Sequence, residues 1–283
     1  MICVLSSAIF IPQTRFFNRT FNLLYQTICY FATMKRPLLI VVISLISANL
    51  MAQTGFIENQ RVFPRVAGAI RTKEDTLRKQ FAAAKLQWPA KDMYVRSFKY
   101  DSQLEVWVRN TSAEPYKLFK TYKICALSGT LGPKRIEGDY QVPEGFYYIN
   151  EFNPKSMYHL SLGLNYPNAS DRLLSDSIKP GSDIFIHGSC VTVGCIPIQN
   201  DQIEELYVLA SHARNQGQDF IPVHIYPVRF SNNRSQEYLS RNSKEDSDYQ
   251  KFSTRLKEVY DFFEENKKLP LISVNKKGEY IIL

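Results

Sequence analysis

The segment His187-Gly188-Ser189-Cys190-Val191-Thr192-Val193-Gly194-Cys195 gathers an imidazole, two thiols and two glycines into nine residues. A cysteine attacks a carbonyl carbon as thiolate, and a neighbouring histidine is the usual means of removing its proton. Three uses of the segment can be weighed. A zinc site would combine His187, Cys190 and Cys195, one ligand short of a closed structural site. The fourth would have to be His159, His212 or His224, none of which belongs to a ligand-like pair, so no metal and no cofactor is assigned. A disulfide between Cys190 and Cys195 is within reach of a loop of that length and would silence a reactive thiol reversibly in an oxidising compartment.

The third use is nucleophilic catalysis, with His187 as general base. Cys190 is the nearer thiol, but Cys195 follows a glycine. Gly194 permits a tight turn and lets backbone N–H groups approach a substrate carbonyl, as an oxyanion hole requires. The nucleophile is therefore placed at Cys195.

The elements around the segment must deliver it to a cleft. The apolar stretch Asp183–Ile186 reads as a strand ending at His187, and Pro197 closes the loop. Upstream, residues 53–70 read as an irregular lead-in and Thr72–Leu86 as a helix with Leu77, Phe81 and Ala84 on one face. From Tyr94 the period becomes two. Residues 95–100 and 104–109 make a hairpin, and 116–127 a further strand. Residues 138–149 form two extended pieces about Pro143 and Gly145, and 157–164 another strand, followed by a loop at 166–171. Asp201 and Glu204 have capping-box spacing before a helix with Ile203, Leu206, Tyr207 and Ala210 inward. Residues 220–226 read as a buried strand, 231–247 as a polar linker, 252–263 as an amphipathic helix and 271–283 as a hairpin. The fold class is α+β: a strand-dominated mixed sheet or sandwich core with flanking helices.

Composition narrows the setting. With 17 Tyr and 18 Phe in 283 residues, the chain is too aromatic for a disordered polymer. Met34-Lys35-Arg36 followed by the apolar run Leu38–Ile46 and then Ala52 has the form of a secretory signal peptide. Residues 1–52 are read as an upstream extension plus that leader, with the start at Met34; a membrane-anchored N-terminus is the alternative. Removing them takes away Arg15, Arg19, Lys35 and Arg36 and no acid, so the formal charge falls from +8 to +4. That balance points to no nucleic-acid partner. Three cysteines remain, Cys125, Cys190 and Cys195, an odd number that leaves one thiol free; Cys125, in a strand pattern, reads as an inert buried thiol.

His-Gly followed by Thr192-Val193-Gly194-Cys195-Ile-Pro-Ile resembles the signature of the L,D-transpeptidase (YkuD-type) catalytic domain. On that pattern His187 matches the base, Thr192 the Ser/Thr position, Gly194 the glycine and Cys195 the nucleophile. Val193 stands where the family usually has a second histidine, and the His-to-Cys separation is short. Both departures resemble the divergent murein transpeptidase-like (YafK-type) branch, as do Gly138-Asp139 with residues 143–147, and residues 158–168. The resemblance implies a thioester enzyme acting on peptidoglycan stem peptides in the periplasm or cell envelope. It also implies that the Gly188 carbonyl orients His187, that backbone at Gly194 forms the oxyanion hole, and that Tyr158, His159, Thr192 and Val193 line the substrate cleft. The alternatives are a hydrolase of the same fold and an inactive wall-binding module. The catalytic domain is placed at 93–230, after a lead-in at 53–92, with a helix-and-hairpin appendage at 231–283.

Overall fold

The computed structural model describes residues 55–283; the expected leader and the start at Met34 lie outside the described residues. Two helices come first, α1 (Phe56–Arg61) and α2 (Pro64–Ala83), where the sequence suggested an irregular lead-in. Pro64 sits in the first turn of α2, where its fixed φ and missing N–H are tolerated. The inward stripe begins at Val66, Ala69 and Ile70 and continues to Leu77 and Phe81.

The strands are β1 (Asp92–Phe98), β2 (Gln103–Arg109), β3 (Lys117–Lys123), β4 (Gly145–Asn153), β5 (Ser161–Leu164), β6 (Phe185–His187), β7 (Ile196–Pro197) and β8 (Ile221–Tyr226). They form one mixed sheet in the order β3-β2-β1-β8-β4-β5-β6-β7. The pairs β1–β8 and β6–β7 are parallel; the others are antiparallel. Helix α3 (Ala169–Leu174) lies between β5 and β6, α4 (Asn200–Asn215) between β7 and β8, and α5 (Asn233–Asn242) and α6 (Ser247–Asn266) follow β8. A separate hairpin, β9 (Ile272–Val274) and β10 (Tyr280–Ile282), ends the chain.

Alternation assigns the two faces of the sheet. Met93, Val95, Leu104, Val106, Val223 and Ile225 pack with α2 and α4 in one cluster. Tyr94, Phe98, Trp107 and Tyr226 pack on the other face against Leu256, Tyr260 and Phe263 of α6. The centre of the sheet is thus covered on both sides, and β1 is buried from Met93 to Phe98. The second face also buries Arg96, ion-paired with Glu105 and with Glu264 of α6, which anchors that helix.

Three expectations fail here. The polar stretch 231–247 contains α5, capped by Asn232, because one buried turn (Ser235, Leu239) suffices to dock a largely solvated helix. The loop expected at 166–171 ends in α3, nucleated by a capping box in which Asn168 and Asp171 bond each other's backbone. The capping box of α4 is Gln199 with Gln202, not Asp201 with Glu204.

Candidate active site

The sheet ends in the two short strands that carry the chemistry. Ile186 pairs with Ile196 and His187 with Pro197 in parallel register. Ile186 and Ile196 turn into the α2–α4 core, so His187 projects from the opposite face of β6, and Cys195 immediately precedes β7. Bonds from Gly188 N to Leu160 O (3.1 Å) and from Ile198 N to His187 O (2.9 Å) fix both strand ends. A Cβ at Gly188 would lie 2.6 Å from Asn200 Oδ1 and 2.9 Å from Tyr158 O, so only glycine fits there.

His187 is 2% exposed, and its Nδ1 lies 2.5 Å from Gly188 O. A carbonyl only accepts, so Nδ1 carries the proton and Nε2 keeps a free lone pair. The Tyr158 ring lies over the imidazole at 4.8 Å between centroids. Burial pushes the His187 pKa below its ordinary value, against a smaller opposing effect of the Gly188 bond.

The nucleophile loop is held by its own hydroxyl. Thr192 Oγ1 donates to Cys195 O at 2.8 Å and accepts from Gly194 N at 3.1 Å. Gly194 has φ +142°, and a Cβ there would meet Gln141 O at 3.0 Å. Cys195 Sγ accepts from Phe185 N at 3.4 Å and donates to Asp183 O at 3.5 Å. Among the described residues no hydrogen bond joins it to the imidazole. Burial raises its pKa, the Phe185 amide lowers it, and Asp183 and Lys134 act in opposite senses. A lowered histidine and a raised thiol define a neutral resting pair, not a preformed ion pair.

The cysteines pair differently from the sequence expectation. Cys125 and Cys190 form a disulfide with Cα atoms 5.4 Å apart, and Cys195 is free. Cys125 is therefore no inert thiol, and Cys190 is available neither to Cys195 nor to a zinc set with His187. Cys125 N also donates to Pro197 O at 3.1 Å, so the bridge staples the start of the loop beside the strand that ends it.

The remaining candidates fall in different places. The His159 ring is held by Glu204 Oε1 at 2.8 Å, with Lys73 near the same carboxylate. Its backbone is left-handed (φ +72°), with its carbonyl taken by Arg65. Thr192 spends its hydroxyl inside the loop and the Gly194 N–H is spent on Thr192, while among the described residues the Cys195 amide has no acceptor. Val193 is 71% exposed on the loop, beside exposed Val191. His224 is buried and bonded to Tyr94 Oη and Tyr226 Oη; burial pushes its pKa down to about 3. His212 is half-buried near Glu74, and desolvation lowers it to about 4, so it is not the cation that its place late in α4 suggested. Gln141 and Asp183 were missed, since their roles run through backbone carbonyls and carry no side-chain signal.

Residues 99–225 match the L,D-transpeptidase catalytic domain family, YkuD type. The chain is 35% identical over 200 residues to the "Putative L,D-transpeptidase YafK" of Escherichia coli strain K12, covering 70% of this chain and 76% of that protein. The protein of the same name in Escherichia coli O157:H7 matches equally. Among solved structures, a mutant form of the helical cell shape determining protein Pgp2 from Campylobacter jejuni aligns over 69% of this chain and 90% of that one. The identity is 18% and the TM-score 0.40. Bd1075 of Bdellovibrio bacteriovorus aligns over 66% and 78%, at 20% identity and TM-score 0.37. With the His-Gly strand end and the Gly-Cys loop converging at the sheet edge, and the sequence matches covering both, the chain belongs to the L,D-transpeptidase family of YkuD-type catalytic domains.

Proposed function

We propose that the protein is an exported cysteine acyltransferase that cuts a peptidoglycan stem peptide at an L,D bond and passes the acyl group to an amine. The observation that carries this reading is the free Cys195 at the entry to β7, the strand paired with β6, which ends in an imidazole whose Nδ1 is tied to Gly188 O. As substrate enters, the thiol proton leaves Asp183 O and passes to His187 Nε2 while Sγ bonds to the carbonyl carbon. The Cys195 amide donates to the developing oxyanion. The C–N bond then breaks, and the imidazolium returns the proton to the departing amine. An acceptor amine attacks the thioester, gives its proton to His187, and the thiol is restored. Tyr158 and Val193 bound the entry to the cleft, and His159 acts through the turn that it shares with Tyr158. The periplasm or cell envelope is where such a substrate lies.

A second reading, hydrolysis by water, draws on Val193. An exposed aliphatic side chain stands where an imidazole would otherwise assist the acceptor. Product analysis by mass spectrometry on purified peptidoglycan, with and without added amine, tests the choice. Amine-bearing products that disappear in Cys195→Ala support transfer, and water-derived products alone would exclude it.

A further inference from the structure

The ring that covers the general base stands on a turn with little apolar packing at its tip. Residues 154–160 join β4 to β5. At the tip Met157 is 91% and Tyr158 42% exposed, so burial of these side chains does not fix where the tip sits. Yet the Tyr158 ring meets the His187 imidazole at 4.8 Å between centroids, tilted by 35°. The turn also seats its backbone on the strand end that carries the base, since a Cβ at Gly188 would come within 2.9 Å of Tyr158 O.

What holds the turn is polar. Inside it, Ser156 Oγ accepts from Tyr158 N at 3.0 Å, and Asn153 Oδ1 accepts from Lys155 N at 3.0 Å. From α2, Arg65 Nη1 donates to Ser156 O at 2.6 Å and to His159 O at 2.8 Å, so the two carbonyls it takes flank Met157 and Tyr158. Among the described residues these are the only hydrogen bonds of the Arg65 side chain, and no carboxylate competes for it. His159 is left-handed at φ +72°, a conformation that a non-glycine residue keeps only where its surroundings fix it. Its ring is bonded to Glu204 of α4 at 2.8 Å, and Lys73, further along α2, lies 3.6 Å from the same carboxylate.

Arg65 itself is exposed and precedes the family match at 99–225, so neither the core nor the shared catalytic domain accounts for it. Its reach ends at the base. His187 has to accept the thiol proton at Nε2, and its ring is held between the Gly188 carbonyl at Nδ1 and the face of Tyr158. Loss of the clamp frees the tip to carry that face away, and small misplacements of a catalytic group are costly in rate.

We propose that Arg65 is a positioning residue for acyl transfer, which clamps the carbonyls on either side of Met157–Tyr158 and so keeps the Tyr158 ring against His187. This rests on the acyl-transfer reading above. The test compares Arg65→Met, which keeps an unbranched stem and removes the donors, with Arg65→Lys. Both bonds come from one nitrogen, so a single ammonium can serve the same two carbonyls. Cys195 acylation by a monomeric disaccharide-peptide released by muramidase, followed by intact-protein mass spectrometry, is expected to slow about tenfold in Arg65→Met and less than about threefold in Arg65→Lys. In a Tyr158→Leu background, Arg65→Met is expected to add less than about twofold, because the ring through which it acts is gone. Proton NMR gives a readout that needs no substrate. In Arg65→Met the His187 ring protons should leave the shielded face of Tyr158 and move toward their positions in Tyr158→Leu. Unmoved His187 protons, equal acylation losses in the two Arg65 variants, or the same loss with and without the Tyr158 ring would overturn the proposal. A wild type that forms no Cys195 thioester refutes the peptidoglycan reading instead, and the NMR comparison then decides the positioning role by itself.

Discussion

Breaking the Cys125–Cys190 bridge is the perturbation whose magnitude follows most directly from the fold. The two cysteines are 65 residues apart in sequence. Restricting a loop of that length removes about 14 cal/mol/K from the unfolded ensemble, or about 4 kcal/mol at 25 °C. For a unit of this size each kcal/mol shifts Tm by roughly 2–4 °C, so the midpoint should fall by about 8–16 °C. Because one bond is lost in every case, Cys125→Ser, Cys190→Ser and the double variant should lose similar amounts, far from additively. Calorimetry on the three variants reads the losses. Peptide mapping under non-reducing conditions checks the pairing, and Cys195 should remain alkylatable in all of them. Additive losses, no loss, or a Cys190–Cys195 peptide in the wild type would refute the assignment.

Gly194→Ala places a β-carbon at φ +142° and 3.0 Å from Gln141 O. It should cost about 1–3 kcal/mol in thermal stability and slow Cys195 acylation by about tenfold or more; unchanged acylation would show that the loop tolerates the residue. Because burial raises the thiol and lowers the imidazole, iodoacetamide labelling of Cys195 should climb only in the alkaline range, with a midpoint above that of an ordinary cysteine thiol. A plateau reached from mildly acidic pH would mean a resting thiolate–imidazolium pair instead. His224, lowered to about 3, stays neutral in the folded protein while the unfolded chain takes up a proton below about 6.5. Stability should therefore fall as pH drops between those values, by about 1.4 kcal/mol per unit from this residue. Urea unfolding of His224→Gln should show a shallower decline, with the part due to His212 remaining; parallel curves would contradict the assignment.

Much of the sheet was legible because its strands alternate: Leu104, Val106 and Val108 point one way and Glu105 and Trp107 the other. The reactive loop was legible because His-Gly and Gly-Cys are chemically unusual neighbours, and the odd cysteine count announced one free thiol. The partner of Cys190 was not legible, since a bridge between residues 65 apart depends on the return of β7 to the segment after β3. Helix α5 escaped because its apolar face is little more than Leu239, too little to stand out as a period. Backbone around Gly194 was expected to form an oxyanion hole, and residue types alone could not tell that the N–H of Gly194 itself bonds a hydroxyl two residues earlier. Such local competition between a side chain and the backbone is decided by loop geometry that residue types alone do not specify.

The central claim is that Cys195 carries the acyl group. Intact-protein mass spectrometry after incubation with muropeptides should find a single thioester adduct that maps to Cys195 and is released by hydroxylamine. It should be missing in Cys195→Ala and present in Cys190→Ser. Turnover that persists in Cys195→Ala, or an adduct on any other residue, would contradict it.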